Sequence, residues 1–457
     1  MKEDLLAKIV SLCKRRGFVY PNSEIYGGVQ GIYDFGPLGV EMKNNIKRLW
    51  WDWMLKHKDV YGIDGAIITH PLVWEASGHV QGFTDPLVDC LKCRKRFRAD
   101  QLLLDLEVQE SGSADKDLLE RLTKALKDIR CPECGGKLGK PRLFNLLVDV
   151  GLGVVEGQKR KTYLRGEACQ TIYLNYENVK NSMRAKIPFG TVQIGKAFRN
   201  EITPKQFLFR QREFEQWDLQ WFVNPKEIEK WYEYWKKERM DWYLGLVNDK
   251  KRLRFRKHDQ DELAHYAKVA YDIEYKTPFG WKEWEGVHWR GDWDLTRHGK
   301  YAKKDFTYTD PESNEKFIPW IVETSGGVDR TFLFLLLDAY CEEEINGKKR
   351  VVLKLKPQIA PYKAAVFPLL ANKPELVKKA REIYTELRKK YLIAWDERGN
   401  IGKRYFSQDE IGTPYCLTID FETLKKDTVT IRDRDTTNQE RVRVKDLDNF
   451  LKKNVEK

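Results

Sequence analysis

Three arginine-bearing segments carry the residues best suited to binding phosphate. Residues 198–201 read Phe-Arg-Asn-Glu, residues 210–214 read Arg-Gln-Arg-Glu-Phe, and residues 326–330 read Gly-Gly-Val-Asp-Arg. Guanidinium groups stay charged and bind phosphate oxygens in pairs. A short polar turn separates the first two segments, which therefore predict antiparallel strands that face one ligand. The pattern indicates an ATP site on an antiparallel sheet without a phosphate loop. If the chain had only one arginine-rich hairpin, a hairpin stabilised by salt bridges would be the alternative to a phosphate site.

Two cysteine pairs indicate a metal site. Cys90 and Cys93 form the first pair, and Cys131 and Cys134 form the second, which two glycines follow. Four thiolates with tetrahedral reach suit zinc, and free or disulfide-linked cysteines are the alternative. A zinc ion with four protein ligands has no open position, so we expect a structural role. The pairs belong to a predicted insertion over residues 85–142.

The composition is that of a globular protein with a basic charge. The chain has 457 residues, of which 41% are hydrophobic and 12% aromatic, and this suffices for two or three domains. Its 82 basic and 69 acidic residues give a net charge of +13. Such a charge favours a polyanionic partner, although many basic proteins merely carry solvated lysines.

No segment of the sequence predicts export or membrane insertion. The first residues lack the pattern of a secretory signal, and the longest apolar run covers only residues 331–337. A bilayer-spanning helix needs ~20 apolar residues. We therefore expect a soluble cytoplasmic protein with no membrane partner, in which the cysteines outside the two pairs are reduced thiols.

Hydrophobic periodicity predicts the elements that position these residues. Apolar side chains at helical spacing predict an amphipathic helix over residues 39–56, and a strand is predicted over residues 65–71. A charged helical stretch over residues 105–129 lies between the cysteine pairs. Residues 224–310, rich in Trp, Tyr, Lys and Arg, are predicted as a second insertion with either a solvated helix face or a surface near the polyanionic partner.

After Pro357 the pattern changes to strands that alternate with a helix. Apolar residues from 376 to 387 predict an amphipathic helix. The predicted strands cover residues 364–368, 415–420, 428–434 and 441–445. These elements indicate a separate small α/β domain.

The arginine segments resemble motifs 2 and 3 of class II aminoacyl-tRNA synthetases. The surrounding chain is similar to the dimeric glycyl-tRNA synthetase family over nearly its whole length. Further segments that carry this resemblance are residues 17–28, 31–39, 163–165, 262–266, 280–283 and 402–405. The resemblance implies an α+β fold with a class II antiparallel-sheet catalytic domain in residues 1–350, interrupted by the two insertions, and a C-terminal α/β anticodon-binding domain in residues 357–457.

The resemblance also implies the partners. ATP and Mg²⁺ would activate glycine as an adenylate, and the glycyl group would pass to the terminal adenosine of tRNA(Gly). The helix at 39–56 and the strand at 65–71 correspond to motif 1 at the interface of a homodimer, where three nearby tryptophans fit a large buried contact. Arg432 and Arg434 are candidates for anticodon contacts, unless they simply pair with the aspartate that follows each of them.

Residue roles follow position by position from the same resemblance. Arg199 would bridge the α-phosphate and the amino-acid carboxylate, whereas Arg210 and Arg330 would hold the outer phosphates. Glu283 is a magnesium or ATP contact, with Glu323 as a second candidate. The implied catalytic residues are Arg199, Glu283 and Arg330. The implied ATP-binding residues are Arg199, Asn200, Glu201 at the adenine amino group, Phe209, Arg210, Phe214 on the adenine ring, Glu283, Trp284, Gly327 and Arg330.

Glycine recognition requires a small acidic pocket without space for a β-carbon, because glycine offers only an ammonium and a carboxylate. A hydroxyl at Ser325 would crowd out alanine. By resemblance Glu167 occupies one of the family's glycine-binding positions, and a salt bridge to Arg165 is the alternative for it. The implied glycine-binding residues are Arg98, Glu167, Phe214, Gln216, Asp218, Glu323, Ser325 and Gly327.

The chain departs from the family pattern beside this pocket. Asp218 stands where the family usually has Glu, and residues 165–170 read Arg-Gly-Glu-Ala-Cys-Gln in place of Arg-Pro-Glu-Thr-Ala-Gln. Residues 148–158 match poorly, whereas the ATP arginines are intact. Two alternatives to a glycine enzyme follow. One is a related class II synthetase or adenylate-forming homologue for another small amino acid, and the other is a non-catalytic synthetase-like nucleic-acid-binding subunit.

Overall fold

The structure is a computed structural model that describes residues 2–105, 115–155, 157–259, 268–345 and 347–455. Segment 262–266, which contributes to the resemblance, lies outside the described residues. The α-helices in the described part are α1 (Lys2–Arg16), α2 (Pro37–Leu55), α3 (Pro71–Ala76), α4 (His79–Gly82), α5 (Ala99–Asp105), α6 (Asp115–Ala125), α7 (Gln170–Leu174), α8 (Tyr176–Ser182), α9 (Ile228–Leu246), α10 (Trp293–Ala302), α11 (Val328–Ala339), α12 (Pro374–Arg388), α13 (Ile401–Glu410), α14 (Phe421–Lys426) and α15 (Leu447–Val455).

The strands form one large sheet in the N-terminal domain, one in the C-terminal domain and several small sheets. They are β1 (Val19–Pro21), β2 (Tyr33–Phe35), β3 (Val60–Gly62), β4 (Thr84–Asp89), β5 (Arg96–Arg98), β6 (Arg142–Asn145), β7 (Val148–Leu152), β8 (Arg160–Leu164), β9 (Phe189–Phe198), β10 (Glu213–Val223), β11 (Leu253–Lys257), β12 (Val269–Thr277), β13 (Gly280–Gly291), β14 (Tyr308–Thr309), β15 (Lys316–Phe317), β16 (Trp320–Gly327), β17 (Tyr340–Ile345), β18 (Lys348–Leu353), β19 (Ala364–Pro368), β20 (Ile393–Trp395), β21 (Tyr415–Ile419), β22 (Thr428–Asp433) and β23 (Gln439–Arg443).

The large sheet has seven strands in the order β11-β12-β13-β16-β10-β9-β3. Neighbouring strands are antiparallel except β3 and β9, which are parallel. In the register of the central strands, Ser325 on β16 lies between Asp218 on β10 and Gly286 on β13. This antiparallel sheet with its helices confirms the predicted α+β class.

One face of the sheet is covered by helices and the other carries polar side chains. On the covered face, Trp217 of β10 stacks on Trp50 of α2 with ring centroids 5.3 Å apart, and both side chains are fully buried. Because side chains alternate along a strand, Gln216, Asp218 and Gln220 lie together on the opposite face. The predicted helix over residues 39–56 is thus α2, and its Trp50 contacts the core rather than a partner subunit.

The predicted strand over residues 65–71 is absent. This segment is irregular and makes one isolated bridge, from Ile68 to Leu164. Pro71 occupies the first turn of α3, where its fixed φ and missing N–H favour a helix start, and His70 caps that helix by accepting a bond from the Leu72 amide at 3.2 Å. The apolar residues of this segment favoured a strand, but the start of α3 at Pro71 prevented one from forming.

The second predicted insertion is also wrong. Residues 224–310 contain α9, which packs on the covered face, and β11, β12 and β13, which complete the large sheet. Two aromatic residues of α9, Trp235 and Tyr243, are fully buried. The Trp and Tyr content of the segment therefore fills the core of the N-terminal domain.

The cysteine-bearing insertion forms a small module of its own. Its three-stranded sheet has the order β5-β4-β6, and α5 and α6 bury Leu103 and Leu122 against it. The helical stretch predicted over residues 105–129 is represented by these helices, and residues 106–114 lie outside the described part. Thr84 pairs with Asn145 where the module joins the rest of the N-terminal domain.

The C-terminal domain has a five-stranded sheet in the order β20-β19-β21-β22-β23. In this sheet β19 is parallel to both of its neighbours, β20 and β21, whereas β22 and β23 are antiparallel additions. The strands predicted after Pro357 correspond to β19, β21, β22 and β23, and the predicted helix is α12. Among the described residues, no helix combines the length and apolar character needed to cross a membrane.

Candidate active site

The polar face of the large sheet borders a cavity of about 360 Å³. The connection between β9 and β10, the ends of β13 and β16, and the start of the cysteine-bearing module form its walls. The predicted nucleotide residues that line it are Arg199, Glu201, Phe209, Arg210, Phe214, Glu283, Gly327 and Arg330. Of the residues predicted to bind glycine, Arg98, Gln216 and Ser325 also line the cavity, in addition to Phe214 and Gly327.

Arg199 lies between two aromatic rings at this cavity. Its guanidinium carbon is 5.1 Å from the ring centroid of Phe83 and 5.3 Å from that of Phe214. Its Nε donates to the Gly166 carbonyl at 3.0 Å. A Cβ at Gly166 would lie 3.0 Å from the Phe83 ring, so glycine at this position lets the ring approach closely. These contacts fix the guanidinium while its Nη donors remain for ligand oxygens.

Three further arginines face the same cavity. Arg330 Nη1 lies 3.1 Å from the Glu283 carboxylate, and Arg98 reaches the cavity from β5 with Nη1 2.7 Å from Asp85. Burial, together with the charge of Arg98, lowers the pKa of Arg210. Cations that repel one another at a cavity are stabilised by an anion, so this cluster favours a ligand with several negative charges.

Three carboxylates lie beside the cavity. Asp218 is two residues from Gln216 on β10, and Glu323 is two residues from Ser325 on β16. Because alternate residues share a face, both carboxylates lie next to the cavity-lining pair on the same face of the sheet. Glu167 approaches them from the segment that precedes α7, and its charge contributes to the titration of both.

Glu323 is fully engaged by neighbouring side chains. Its oxygens lie 3.0 Å from Arg290 Nη1, 2.6 Å from His288 Nδ1 and 2.8 Å from Gln220 Nε2. Burial opposes ionisation, but Arg290 and His288 outweigh it and lower the pKa of Glu323 to about 2. This carboxylate is therefore ionised and held in place.

Asp218 has the opposite environment. It is completely buried, and neither carboxylate oxygen has a well-formed hydrogen bond to any described residue. Burial and the charges of Glu323 and Glu167 raise its pKa well above the usual range, which Ser325 and Arg290 offset only in part. A buried carboxylate without a partner is stabilised by a cationic ligand.

Glu167 is ionised, although it does not pair with Arg165. Burial would raise its pKa, but His79, the charge of Arg290 and the Cys169 thiol outweigh burial and hold the pKa well below the usual range. Arg165 instead donates from Nη1 to the Gly65 carbonyl at 2.9 Å. The salt bridge considered as an alternative for Glu167 is thus absent.

Known proteins match both parts of this chain. The tRNA synthetase class II core domain (G, H, P, S and T) matches residues 154–340, and an anticodon binding domain matches residues 363–454. The glycine–tRNA ligase of Borreliella burgdorferi strain B31 is 48% identical over 454 residues, which cover 98% of this chain and 97% of that protein. The glycine–tRNA ligase of Clostridium acetobutylicum is 48% identical over 461 residues, 99% of each chain. The chain belongs to the glycine–tRNA ligase family.

Family membership confirms the resemblance found in the sequence, but two residues predicted for the ATP site of a glycine–tRNA ligase do not reach the cavity. A bulge in β13 turns Trp284 to the helix-covered face, where it is fully buried and donates to Thr331 Oγ1 at 2.8 Å. The prediction that Trp284 contacts ATP is wrong for this reason. Asn200 lies outside the cavity lining, and its amide donates to the Leu146 carbonyl at 2.8 Å.

The predicted anticodon contacts of this ligase are also wrong. Arg432 is 5% exposed, and its two Nη atoms bind the Asp409 carboxylate at 2.8 and 3.0 Å. Arg434 is 2% exposed, pairs with Asp435 and donates to the Gly412 and Leu355 carbonyls at 2.8 Å. Burial leaves neither guanidinium available to a nucleic acid.

Sequence reasoning missed four residues at this site. His288 and Arg290 hold Glu323, Phe83 packs on Arg199, and His79 contacts Glu167. His288 and Arg290 occupy alternate positions of β13, so a continued period-two pattern after residues 280–283 could have placed them on the same face. No local pattern marks Phe83 or His79, because both contact residues that follow the cysteine-bearing module.

The four cysteines come together as predicted. Their sulfurs all lie within 4.8 Å of one another, with 3.5 Å between Cys90 and Cys134 and 3.7 Å between Cys93 and Cys131. Tetrahedral zinc with bonds of about 2.3 Å requires sulfurs about 3.8 Å apart. The Cys93 amide donates to the Cys90 sulfur at 3.4 Å, which favours a thiolate there. The cluster could therefore hold a zinc ion.

Proposed function

We propose that this chain activates glycine with ATP to form glycyl-adenylate and transfers the glycyl group to the terminal adenosine of tRNA(Gly). The observation that carries the proposal is the juxtaposition of Asp218, a buried carboxylate with no well-formed hydrogen bond among the described residues, with a cavity lined by four arginines. The carboxylate suits the ammonium of a small amino acid, and the arginines suit a triphosphate.

Activation is an in-line attack of a glycine carboxylate oxygen on the α-phosphorus, and the bond to the departing pyrophosphate breaks. Arg199 would bind the α-phosphate and the attacking carboxylate, where negative charge increases in the transition state. Arg210 and Arg330 would bind the outer phosphates. Transfer then forms an ester bond between the tRNA hydroxyl and the glycyl carbonyl, and AMP leaves. No side chain needs to act as a nucleophile.

Base recognition falls to two residues of the cavity. Glu201 is 7% exposed, and its Oε2 is buried without a hydrogen-bond partner among the described residues. An adenine amino group would supply that missing donor. Phe214 would stack on the adenine ring. The guanidinium of Arg199 lies over the Phe214 ring, next to this position.

Glycine would bind at the inner end of the cavity. Asp218 and Glu167 would bind the ammonium, whereas Glu323 supports the site because its own oxygens are already engaged. Ser325 Oγ accepts from Gln216 Nε2 at 2.6 Å, which fixes the hydroxyl beside the substrate α-carbon. A methyl group at that carbon would collide with the hydroxyl, so alanine would be rejected.

Magnesium would be held by ATP and by Glu283. This carboxylate is about half exposed at the cavity, and hard oxygen ligands suit the ion, which would neutralise phosphate charge. Glu323, the second candidate, does not fit a magnesium ligand, because Arg290, His288 and Gln220 occupy its oxygens.

We also infer a structural zinc at the cysteine cluster, a homodimer, and a cytoplasmic enzyme. The sulfur distances support the zinc. The homodimer and the compartment rest on the motif 1 resemblance and on family membership. Light scattering tests the homodimer, which a monomeric mass at micromolar concentration would contradict.

ATP–pyrophosphate exchange across glycine, alanine, serine and proline tests the proposed function. We expect the strongest exchange with glycine, followed by charging of bulk tRNA with labelled glycine. Strongest exchange with another amino acid would replace glycine as the substrate, and exchange with none would indicate a non-catalytic subunit.

A further inference from the structure

The hydrogen-bond donors around Glu167 converge on one of its two oxygens. Gln170 Nε2 lies 2.8 Å, the Cys169 thiol 3.0 Å and His79 Nε2 3.2 Å from Oε1. Among the described residues, Oε2 has no comparable contact. A carboxylate anchored through one oxygen keeps the lone pairs of the other for a ligand cation.

His79 is itself held from the side away from Glu167. Its Nδ1 lies 2.8 Å from Ser77 Oγ, and its ring centroid is 5.0 Å from that of Phe83. The His79 carbonyl accepts from Asn145 Nδ2 at 3.0 Å, at the point where the cysteine-bearing module rejoins the catalytic domain. The ring therefore cannot turn from Glu167 without losing these contacts.

Gln170 is oriented in a similar way. Its Oε1 lies 2.9 Å from His298 Nε2, and burial lowers the pKa of His298, so the ring is neutral. A neutral ring that donates from Nε2 to the amide oxygen leaves the amide nitrogen of Gln170 for Glu167. Two histidines from separate elements thus determine which oxygen of Glu167 is occupied.

We propose that His79, supported by Ser77, is a positioning residue for the amino-acid substrate. It holds Glu167 through Oε1 so that Oε2 is offered to the ammonium, and it thereby sets the affinity for glycine without contacting ATP. The inference rests on the proposed function of Glu167 as an ammonium ligand. It also makes the base of the cysteine-bearing module part of the glycine site, because His79 and Asn145 lie at the two ends of that module.

Exchange kinetics of His79→Leu and His79→Gln test this role. Leucine removes the donor to Glu167, and we expect the KM for glycine to rise about tenfold, the effect of losing one hydrogen bond to a charged group, with the KM for ATP within about twofold. Glutamine places an amide nitrogen near the position of Nε2, so we expect most of the glycine KM to be recovered. Ser77→Ala keeps the imidazole and should raise the glycine KM to a smaller extent.

His57→Gln is the matched control, since His57 contacts Tyr234 and Glu238 away from the cavity. Thermal unfolding of each variant identifies any loss of folding, and Ser77→Ala carries the test if His79→Leu does not fold. An unchanged glycine KM in His79→Leu and Ser77→Ala, an equal rise of both KM values, or no recovery with glutamine would overturn the positioning role. If the parent protein activates no glycine, the proposed function fails instead.

Discussion

The Arg330 side chain contacts both the side chain and the backbone of Glu283. Arg330 Nη1 lies 3.1 Å from Glu283 Oε2 and donates to the Glu283 carbonyl at 2.8 Å. Its guanidinium carbon is also 4.6 Å from the ring centroid of Phe209. These contacts orient the arginine proposed for the outer phosphates, and the carboxylate proposed for magnesium lies beside it. Such preorganisation reduces the cost of aligning charges when ATP binds.

Arg330→Ala should lower kcat/KM for ATP by about a hundredfold in pyrophosphate exchange, because one preorganised phosphate contact is lost. Arg330→Lys should recover only part of this, since an ammonium cannot bind phosphate oxygens as a planar fork. The glycine KM should stay close to the parent value in both. Arg443→Ala, at an exposed arginine of the C-terminal domain, is the control. Equal kcat/KM values for parent and Arg330→Ala would contradict the phosphate role.

Glycine binding should depend on pH through Asp218. Burial and the neighbouring carboxylates raise its pKa and so favour the protonated carboxyl, whereas an ammonium ligand requires the ionised form. Binding therefore releases a proton, so the glycine KM should fall as the pH rises toward the pKa of Asp218. Exchange rates measured from pH 6 to pH 9 check this. Asp218→Asn should raise the glycine KM and flatten its pH dependence, and a KM that rises with pH in the parent would exclude the mechanism.

The same carboxyl should reduce the stability of the fold at neutral pH. In the unfolded chain Asp218 ionises at its ordinary pKa, but in the folded chain it holds its proton to higher pH. Folding then binds a proton, and stability is lost as the pH rises between the two pKa values, by about 1.4 kcal/mol per pH unit. Asp218→Asn should therefore be more stable than the parent, and urea unfolding should show a difference that grows as the pH rises above the ordinary pKa of an aspartate. A constant difference would argue against this linkage.

The sequence was sufficient where a local pattern decides the outcome. Arg199 and Arg210 border two strands that pair directly, so their spacing alone brought them to one cavity. The strands of the C-terminal domain follow period-two patterns bounded by turns, and they were placed within a few residues. The short spacing within each cysteine pair likewise sufficed to predict the cluster of four sulfurs.

Prediction failed where a distant contact or an irregularity decides the outcome. Arg432 lies on a strand whose arginines suggested contact with a nucleic acid. Its partner Asp409 lies on α13, so the residues next to Arg432 in the sequence do not reveal this pairing. Trp284 follows Glu283 in an apparently regular strand, and only the bulge turns it into the core. His79 reaches Glu167 across the whole cysteine-bearing module.

Loss of one cysteine ligand should destabilise the module. Cys93→Ser should abolish stoichiometric zinc and lower the unfolding temperature, because the binding energy of a structural zinc contributes directly to folding. Cys341→Ser, at a partly exposed cysteine outside the cluster, should change neither. Elemental analysis and calorimetry provide the measurements. One zinc per chain retained in Cys93→Ser would rule out a four-sulfur site.

Arg432→Ala should weaken the fold rather than the recognition of tRNA. Arg432 binds the Asp409 carboxylate through both Nη atoms, and Arg350 of the catalytic domain binds it at 2.7 Å. Removing one partner of a buried ion pair lowers the free energy of unfolding by about 3 kcal/mol at the lower end of the usual range. The lower end applies here because Arg350 still pairs with the Asp409 carboxylate. Urea unfolding should show this loss, while pyrophosphate exchange with glycine stays unchanged below the transition. Unaltered stability combined with weaker tRNA binding would instead restore Arg432 as an anticodon contact.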